Sequence, residues 1–534
     1  MNKRLAFEKD ARATIINGAK ILYDAVSVTL GPNGRNVILE RGLIPHVTKD
    51  GVTVAAEINV KDKMANVGVQ IIKHAAIQTA IKAGDGTTSA TILAYSMMKH
   101  CEKLVNNGAN PVGVKKGIEL GVKDAIAYFN TIKKPIESSD EIKSVASISA
   151  NNDVEVGSLI AEAMSKIKDF GMITVEDSKT VETVVDVVDG LQIKRGLYSP
   201  YFVNNIEKMQ AELQTPYILL YDNKIGDMAE LIPILDKVRA TSRPLLIVAE
   251  SVDGPALSFL IQNHVKGMIN VCVIKSPGFG VNKMDQLEDI ACVTGAQVIS
   301  SDKGLNIKTI TLKDLGEAEK IIVNYDTTII MNGSGEEDQV KDRISKLKEQ
   351  INAVSDLEKA NIGDRLARLD GGIAVIKVGA VSEIELKEKK DRIDDSISAA
   401  KAAREDGIVP GGGIAYLRAS QNIRFEDSSE INSKLTDDIR KGYNVVKKAL
   451  TKPLRMILKN SGVETDDIYN QICNGEGNWG YNAKTEIYGD MLEQGVLDPA
   501  KVCKVALENA ASVASMYLIT ECVIVNDEDE IKTK

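Results

Sequence analysis

Between Ala11 and Val26 the apolar residues Ile15, Ile16, Ala19, Leu22 and Val26 recur at the spacing of one helix face. Gly31-Pro32-Asn33-Gly34 interrupts that periodicity, and Asn36-Val37-Ile38-Leu39 reads as a short strand ahead of a turn at Thr48-Lys49-Asp50-Gly51. Two further helices are predicted, from about Lys63 to Lys82 and from Thr87 to Val105, broken at Ala83-Gly84. Near Pro135 the texture changes to a helix (Val156 to Lys168) mixed with β-rich runs at Met172–Val175 and Val184–Val188. From Gly190 to Gly372 short apolar runs, Tyr217–Tyr221, Leu245–Ala249 and Val271–Ile274, alternate with helical segments, which predicts an α/β domain. Asp338 to Arg368 reads as a charged pair of helices, Ile373–Val378 as a strand, and Glu383–Glu405 as a charged helix. After Gly407–Gly413 the chain returns to long helices. The two ends are alike and the middle differs, so the simplest architecture is one domain split by an insertion that carries a further insertion.

Composition narrows the function classes. A chain of 534 residues is too long for one core, and 44% hydrophobic residues suffice for several. The net charge of −9 argues against a nucleic-acid or membrane-surface partner, and no run of eighteen apolar residues is present to span a bilayer. The N-terminal residues show no signal or transit pattern. Cys101, Cys272, Cys292, Cys473, Cys503 and Cys522 form no close pair, and with four histidines a structural zinc site is not expected. A cytoplasmic location is the expectation.

The chemistry-bearing motifs are glycine loops. Leu30-Gly31-Pro32-Asn33-Gly34 and Gly84-Asp85-Gly86-Thr87-Thr88-Ser89 each sit where a helical segment stops or starts, so each offers backbone N–H groups to an anion. Asp85 adds a carboxylate for Mg2+, and Thr87, Thr88 and Ser89 add hydroxyls, although Asp and Thr are also ordinary helix caps. Gly411-Gly412-Gly413 opens a third helix. The three together predict ATP binding outside the Walker class, since no Gly-x4-Gly-Lys-Ser/Thr occurs. Asp50 and the Asp394-Asp395 pair are candidates to orient a water at the γ-phosphate. By composition alone, Asp395 reads as a solvated residue of a charged helix.

Two helices of the middle region are apolar on most sides. One carries Met228, Leu231, Ile232, Leu235 and Val238, with Ile234 off the stripe; the other carries Ala256, Leu257, Phe259, Leu260, Ile261 and Val265. Either they are core, or part of them faces solvent to bind exposed apolar segments. Pro277-Gly278-Phe279-Gly280 reads as a plain turn without a helix start of nucleotide-binding form behind it.

In this order the motifs resemble the group I (GroEL-type) chaperonins over nearly the whole chain. The markers are Val28-Thr29-Leu30-Gly31-Pro32, Thr48-Lys49-Asp50-Gly51-Val52, Gly84 to Thr88, Ile148-Ser149-Ala150-Asn151, Ser199-Pro200-Tyr201-Phe202, Gly371 to Gly379, Lys387-Glu388-Lys389-Lys390, Gly411-Gly412-Gly413 and Tyr481-Asn482-Ala483. The resemblance implies a multidomain α and α/β chain. Its parts are a mostly helical equatorial domain (1–133 and 407–534), a small α/β intermediate hinge domain (134–189 and 373–406) and an apical α/β domain (190–372). It implies an ATPase using Mg2+ and K+. Thr29, Leu30, Gly31, Pro32, Lys49, Asp85, Gly86, Thr87, Thr88 and Ser89 would meet phosphates and ions, with Asp85 on Mg2+ and the Thr29 and Lys49 backbone oxygens on K+. Gly412, Asn482, Ala483 and Asp498 would hold ribose and base. Asp395 becomes the catalytic carboxylate with Asp50 its partner, which reverses the composition-only reading. Leu197, Tyr201, Phe202, Ile232, Leu235, Leu257 and Ile261 would grip non-native polypeptide and a lid co-chaperonin. Arg195 and Glu383 match an inter-subunit salt bridge of a homo-oligomeric ring, and Arg455 and Glu464 match positions between the rings of a double ring.

The chain also departs from the family pattern. Leu197 replaces a usual tyrosine, Gln262 a usual apolar residue and Lys484 a small residue beside the base site; Pro410 is typical of group II, and the Gly-Gly-Met tail is missing. A binding or scaffold protein on the same fold with little turnover is the alternative reading, and a small-molecule kinase a third.

Overall fold

The helical periodicity at the two ends of the chain closes on itself in space. In the computed structural model, helices Glu8–Ser27, Lys63–Ala83, Thr87–Asn106 and Pro111–Ile132 from the first part of the sequence pack with Ser433–Leu450 and Ala500–Leu518 from the last. Their inward stripes share one core that includes Ile15, Leu22, Ile72, Met97, Phe129, Tyr443, Leu507 and Tyr517. Strand Lys3–Phe7 pairs antiparallel with Cys522–Asn526, and the guanidinium of Arg12 donates to both carboxylate oxygens of Glu521 at 2.9 Å.

The structure describes residues 3–40, 45–167, 172–178, 180–206, 208–278, 280–351, 356–425 and 433–526. They form two compact units, residues 1–161, 177–182 and 378–534 on one side and 162–176 and 183–377 on the other. The segment read as an intermediate domain divides between them, for packing reasons. Helices Ser139–Ser149 and Glu383–Asp406 belong to the first unit through Val145, Ala399, Ala403, Ile408 and Leu497. The Ser396 hydroxyl adds a 2.9 Å bond to the Ala146 carbonyl. Strand Ile373–Val378, paired with Val184–Val188, instead shares a cluster of Ile373 and Val375 with Ile322, Ile329 and Met331 of the second unit.

The second unit is built on a sheet. Tyr217–Tyr221, Leu245–Ala249 and Val271–Lys275 run parallel, and Gly316–Val323, Thr328–Gly333 and Gly190–Ile193 continue the sheet antiparallel. The central strand Leu245–Ala249 is buried at every position, as a parallel strand covered on both faces requires. This α/β architecture matches the alternation in the sequence. Three local readings change. Asp50 does not sit in a bare turn but caps a short helix, Gly51–Glu57, accepting from the N–H groups of Val52 and Thr53. In helix Met228–Thr241 the buried stripe is Leu231, Ile234, Leu235 and Val238, the i, i+3, i+4, i+7 set, so Ile234 is inside and Ile232 outside. Helix Val281–Thr294 does begin directly after Gly280.

The helix pair Glu8–Ser27 and Lys63–Ala83 crosses with glycine on both sides. A Cβ on Gly18 would lie 1.7 Å from the Ala65 carbonyl oxygen, and one on Gly68 would lie 1.9 Å from that of Ile15. Backbone cannot yield as a side-chain tip can. Gly68→Ala is therefore expected to destabilise the first unit by about 1–3 kcal/mol or more, read as a lower denaturation midpoint. An unchanged midpoint would show that the crossing is looser than described.

Candidate functional site

The two glycine loops, more than fifty residues apart in sequence, meet in the first unit. The Thr29 and Thr88 hydroxyls lie 3.3 Å apart, and the Asn460 amide donates to the carbonyls of Ser27 and Leu30, both at 2.9 Å, which holds the first loop in place. Helix Thr87–Asn106 starts at Gly86, whose φ of +82° is left-handed, and no side chain caps it. A side chain at Gly86 would meet Val502 at 2.5 Å. Gly51 serves the same closeness from the other side, since a Cβ there would lie 2.3 Å from the Thr88 hydroxyl.

These loops form part of the wall of a cavity of about 210 Å3. Every expected nucleotide and catalytic position of the first unit lines it: Thr29, Leu30, Gly31, Pro32, Lys49, Asp50, Asp85, Gly86, Thr87, Thr88, Ser89, Asp395, Gly412, Asn482, Ala483 and Asp498. Asp498 arrives through the antiparallel pairing of Ile408–Pro410 with Leu497–Pro499, next to the Gly411 loop. Asp395 arrives on helix Glu383–Asp406, which passes so close to the second glycine loop that a Cβ on Gly84 would lie 2.2 Å from that of Ser398. Composition could not reveal this approach, because the charged face of that helix looks solvated in sequence.

Sequence reasoning misses several lining residues. Ser149, at the end of helix Ser139–Ser149, donates to Asp85 Oδ2 at 2.8 Å, while the Gly86 N–H takes Oδ1. Asn151, Asn152 and Arg392 also line the cavity, and Tyr416, Ile457, Met491, Val496 and Cys503 supply apolar or aromatic wall. The marker Ile148-Ser149-Ala150-Asn151 is the available signal for the first group. Asn482 is partly committed already, because its Oδ1 accepts from the Lys484 and Thr485 N–H groups; its amide N–H groups are the donors left to face a ligand.

Six carboxylates, Asp50, Asp85, Glu388, Asp391, Asp395 and Asp498, line this space, with consequences for the charge of three of them. Burial raises the Asp85 pKa, and the Gly86 and Ser149 hydrogen bonds only partly offset that. Asp395 is held well above the carboxylate range, first by desolvation and then by Asp50, Asp85, Asp391 and Asp394. Asp498 is pushed up from 3.8 to about 7 by desolvation and by Asp85. A raised carboxylate favours the protonated folded state, so its contribution to stability is complete below pH 3.8 and is lost as pH rises to about 7. Asp498→Asn is thus expected to flatten the decline in stability of the ligand-free protein across that window. Parallel melting curves of the two proteins from about pH 4 to pH 8 check this, and identical slopes would contradict it.

The second unit carries the positions expected to meet polypeptide. Tyr201 is 67% exposed and Ile232 38% exposed, with Leu197, Leu257 and Ile261 half-buried. Phe202 and Leu235 do not join this face. Phe202 is fully buried, edge-on to His264, and Leu235 at 2% exposure lies on the inward stripe of its helix. Val265 and Met268 are exposed in their place at the end of helix Gly254–Val265 and just beyond it, and Gln262 is exposed between them and Ile261. Arg455 donates to Asp466 of its own chain at 2.7 Å and covers the ring of Tyr469.

Comparison with known proteins bears on family and fold. The sequence model of the TCP-1/cpn60 chaperonin family matches residues 22–528. Among solved structures, the chain is similar to the chaperonin gp146 from the bacteriophage EL 2 (Pseudomonas aeruginosa), crystallised in presence of ATP-BeFx. The TM-score is 0.71 at 22% identity, over 98% of this chain and 99% of that one. The chain belongs to the TCP-1/cpn60 chaperonin family.

Proposed function

We propose that this chain is an ATP-hydrolysing chaperonin of the group I type, which captures non-native polypeptide in a ring cavity and releases it through nucleotide-driven domain movement. The observation that carries this reading is the cavity that gathers both glycine loops, Asp85 and Asp395. Three functional domains, equatorial, intermediate and apical, follow the boundaries drawn from the sequence, with a cytoplasmic location.

Phosphate oxygens would meet the uncapped N-terminus of helix Thr87–Asn106 and the Thr87, Thr88 and Ser89 hydroxyls. The donor set fits Mg2+. Among the described residues no three His, Cys, Asp or Glu side chains converge as a metal cage, so the ion would take one carboxylate and complete its shell with phosphate oxygens and water. Asp85 would hold it, and when bound it supplies charge neutralisation at the phosphates. The backbone oxygens of Thr29 and Lys49 would hold K+. Ribose and base would lie against Gly412, Asn482, Ala483 and Asp498. Asp395 would orient the attacking water and accept its proton, assisted by Asp50, whose carboxylate is fixed by capping its own helix. Because Asp395 rides on the helix that packs over Gly84, hydrolysis would depend on how closely that helix seats.

Polypeptide would be held by Tyr201, Ile232, Leu257 and Ile261 with Leu197, Val265 and Met268, through apolar burial at about 25 cal/mol per Å2. A lid co-chaperonin would use the same face. Arg195 and Glu383 would pair between subunits of a ring, and Arg455 and Glu464 would face a second ring.

Asp395→Ala is expected to lower ATP turnover by roughly 100-fold or more while nucleotide binding is kept, as checked by phosphate release and equilibrium binding. Unchanged turnover would overturn the catalytic assignment, and absence of turnover in the unaltered protein would favour the scaffold reading. Ile232→Glu is expected to remove most of the suppression of aggregation of a diluted, denatured enzyme, measured by light scattering, with ATP turnover retained. Full suppression by the variant would move polypeptide capture to another surface.

A further inference from the structure

The hairpin that closes one side of the cavity is tethered at its tip to two other walls, and both tethers use side chains outside the family markers. Its strands, Trp479–Asn482 and Ile487–Asp490, are stiffened by Trp479 stacked on Tyr488 and by Tyr481 against Tyr488, with centroids 5.2 and 4.9 Å apart. The Asn482 side chain and carbonyl bind the N–H groups of Lys484, Thr485 and Glu486, which sets the turn between them. From this stiff tip the Lys484 ammonium donates to the carbonyl of Asn152 at 3.2 Å. On the other side the amide of Asn33, in the first glycine loop, donates to the carbonyl of Ala483 at 3.2 Å.

The segment that Lys484 reaches is not a bystander. Asn151 and Asn152 both adopt left-handed backbone, with φ of +57° and +65°, so this short turn is held in a conformation non-glycine residues seldom take. Immediately before it Ser149 holds Asp85, and immediately after it Asp153 pairs with Arg392 at 2.7 Å, one turn ahead of Asp395. Ser149, Asn151, Asn152, Arg392 and Lys484 all line the cavity.

We propose that the Asn482–Glu486 tip is a clasp across the mouth of the nucleotide cavity, and that Lys484 is a positioning residue that slows nucleotide release. The inference rests on the reading of this cavity as an ATP site. A bound nucleotide lies beneath a bridge that runs from the phosphate loop through Asn33, across Ala483 and Lys484, to the Asn152 turn. Leaving requires the bridge to part on at least one side. The Lys484 ammonium is engaged with a carbonyl of the opposite wall, and entry and departure pass the same bridge, so its loss accelerates both.

The test is stopped-flow release of a fluorescent ADP analogue, chased with unlabelled ADP, from the full chain. Lys484→Ala is expected to speed release about three- to tenfold, the range of one ordinary hydrogen bond, with the association rate constant raised by a similar factor and Lys484→Arg restoring slow release. Asn33→Ala should speed release independently, and the double variant should exceed either. Unchanged release in Lys484→Ala, or an effect confined to association, would overturn the clasp while leaving the nucleotide site standing. An unaltered protein that binds no nucleotide would overturn both.

Discussion

Crowding of negative charge governs this molecule. Asp50, Asp85, Glu388, Asp391, Asp395 and Asp498 line one cavity, and Asp394 stands beside Asp395 on the same helix. Burial first, and then the neighbouring like charges, raise the pKa of Asp85, Asp395 and Asp498. The fold meets the repulsion only in part, through the Ser149 hydroxyl and Gly86 N–H on Asp85 and the helix cap on Asp50. On the proposed reading a bound cation answers what Lys49, Arg392 and Lys484 of the same lining leave, and the walls present backbone N–H groups and hydroxyls suited to anions. A site asking for a divalent cation and polyphosphate together is the simplest resolution of both.

Bringing distant segments of the first unit to one cavity demands close backbone approach, and glycine provides it. Gly18 and Gly68 let two long helices touch carbonyl to Cα, which fixes the frame. Gly51, Gly84 and Gly86 then allow the Asp50 turn, the Asp395 helix and the Ala500–Leu518 helix to crowd the phosphate loop. Turnover on the proposed reading is thus a property of packing between distant parts of the sequence. Small changes in how helix Glu383–Asp406 seats would be felt at the reacting atoms.

Much of this arrangement is legible in the amino-acid sequence, and the reasons are local. Glycine loops at helix ends mark candidate anion sites because the helix terminus itself supplies the donors. The split helical domain is legible because its periodicity resumes after Gly407. Residues whose meaning depends on a partner far away are not legible from pattern. Asp395 looks solvated until Ser398 is found against Gly84, and Ser149 looks like a helix end until Asp85 is found beside it. Phe202, expected on an exposed face, is core because its short turn packs it against His264 of another segment. Leu235, expected on the same face, is core because an apolar-rich helix gives no polar side from which to judge inside and outside. Ile232 and Ile234 exchange places for the same reason.

The most direct test of the account is the thermal midpoint of the full chain titrated with ATP in excess Mg2+ and, separately, in excess chelator. The account predicts that nucleotide raises the midpoint in a concentration-dependent way with Mg2+, and that ATP without a divalent cation stabilises little, because the six carboxylates of the lining oppose the bare triphosphate. Equal stabilisation in chelator, or none in either condition, would contradict the claim that this cavity is built for a metal-bound nucleotide.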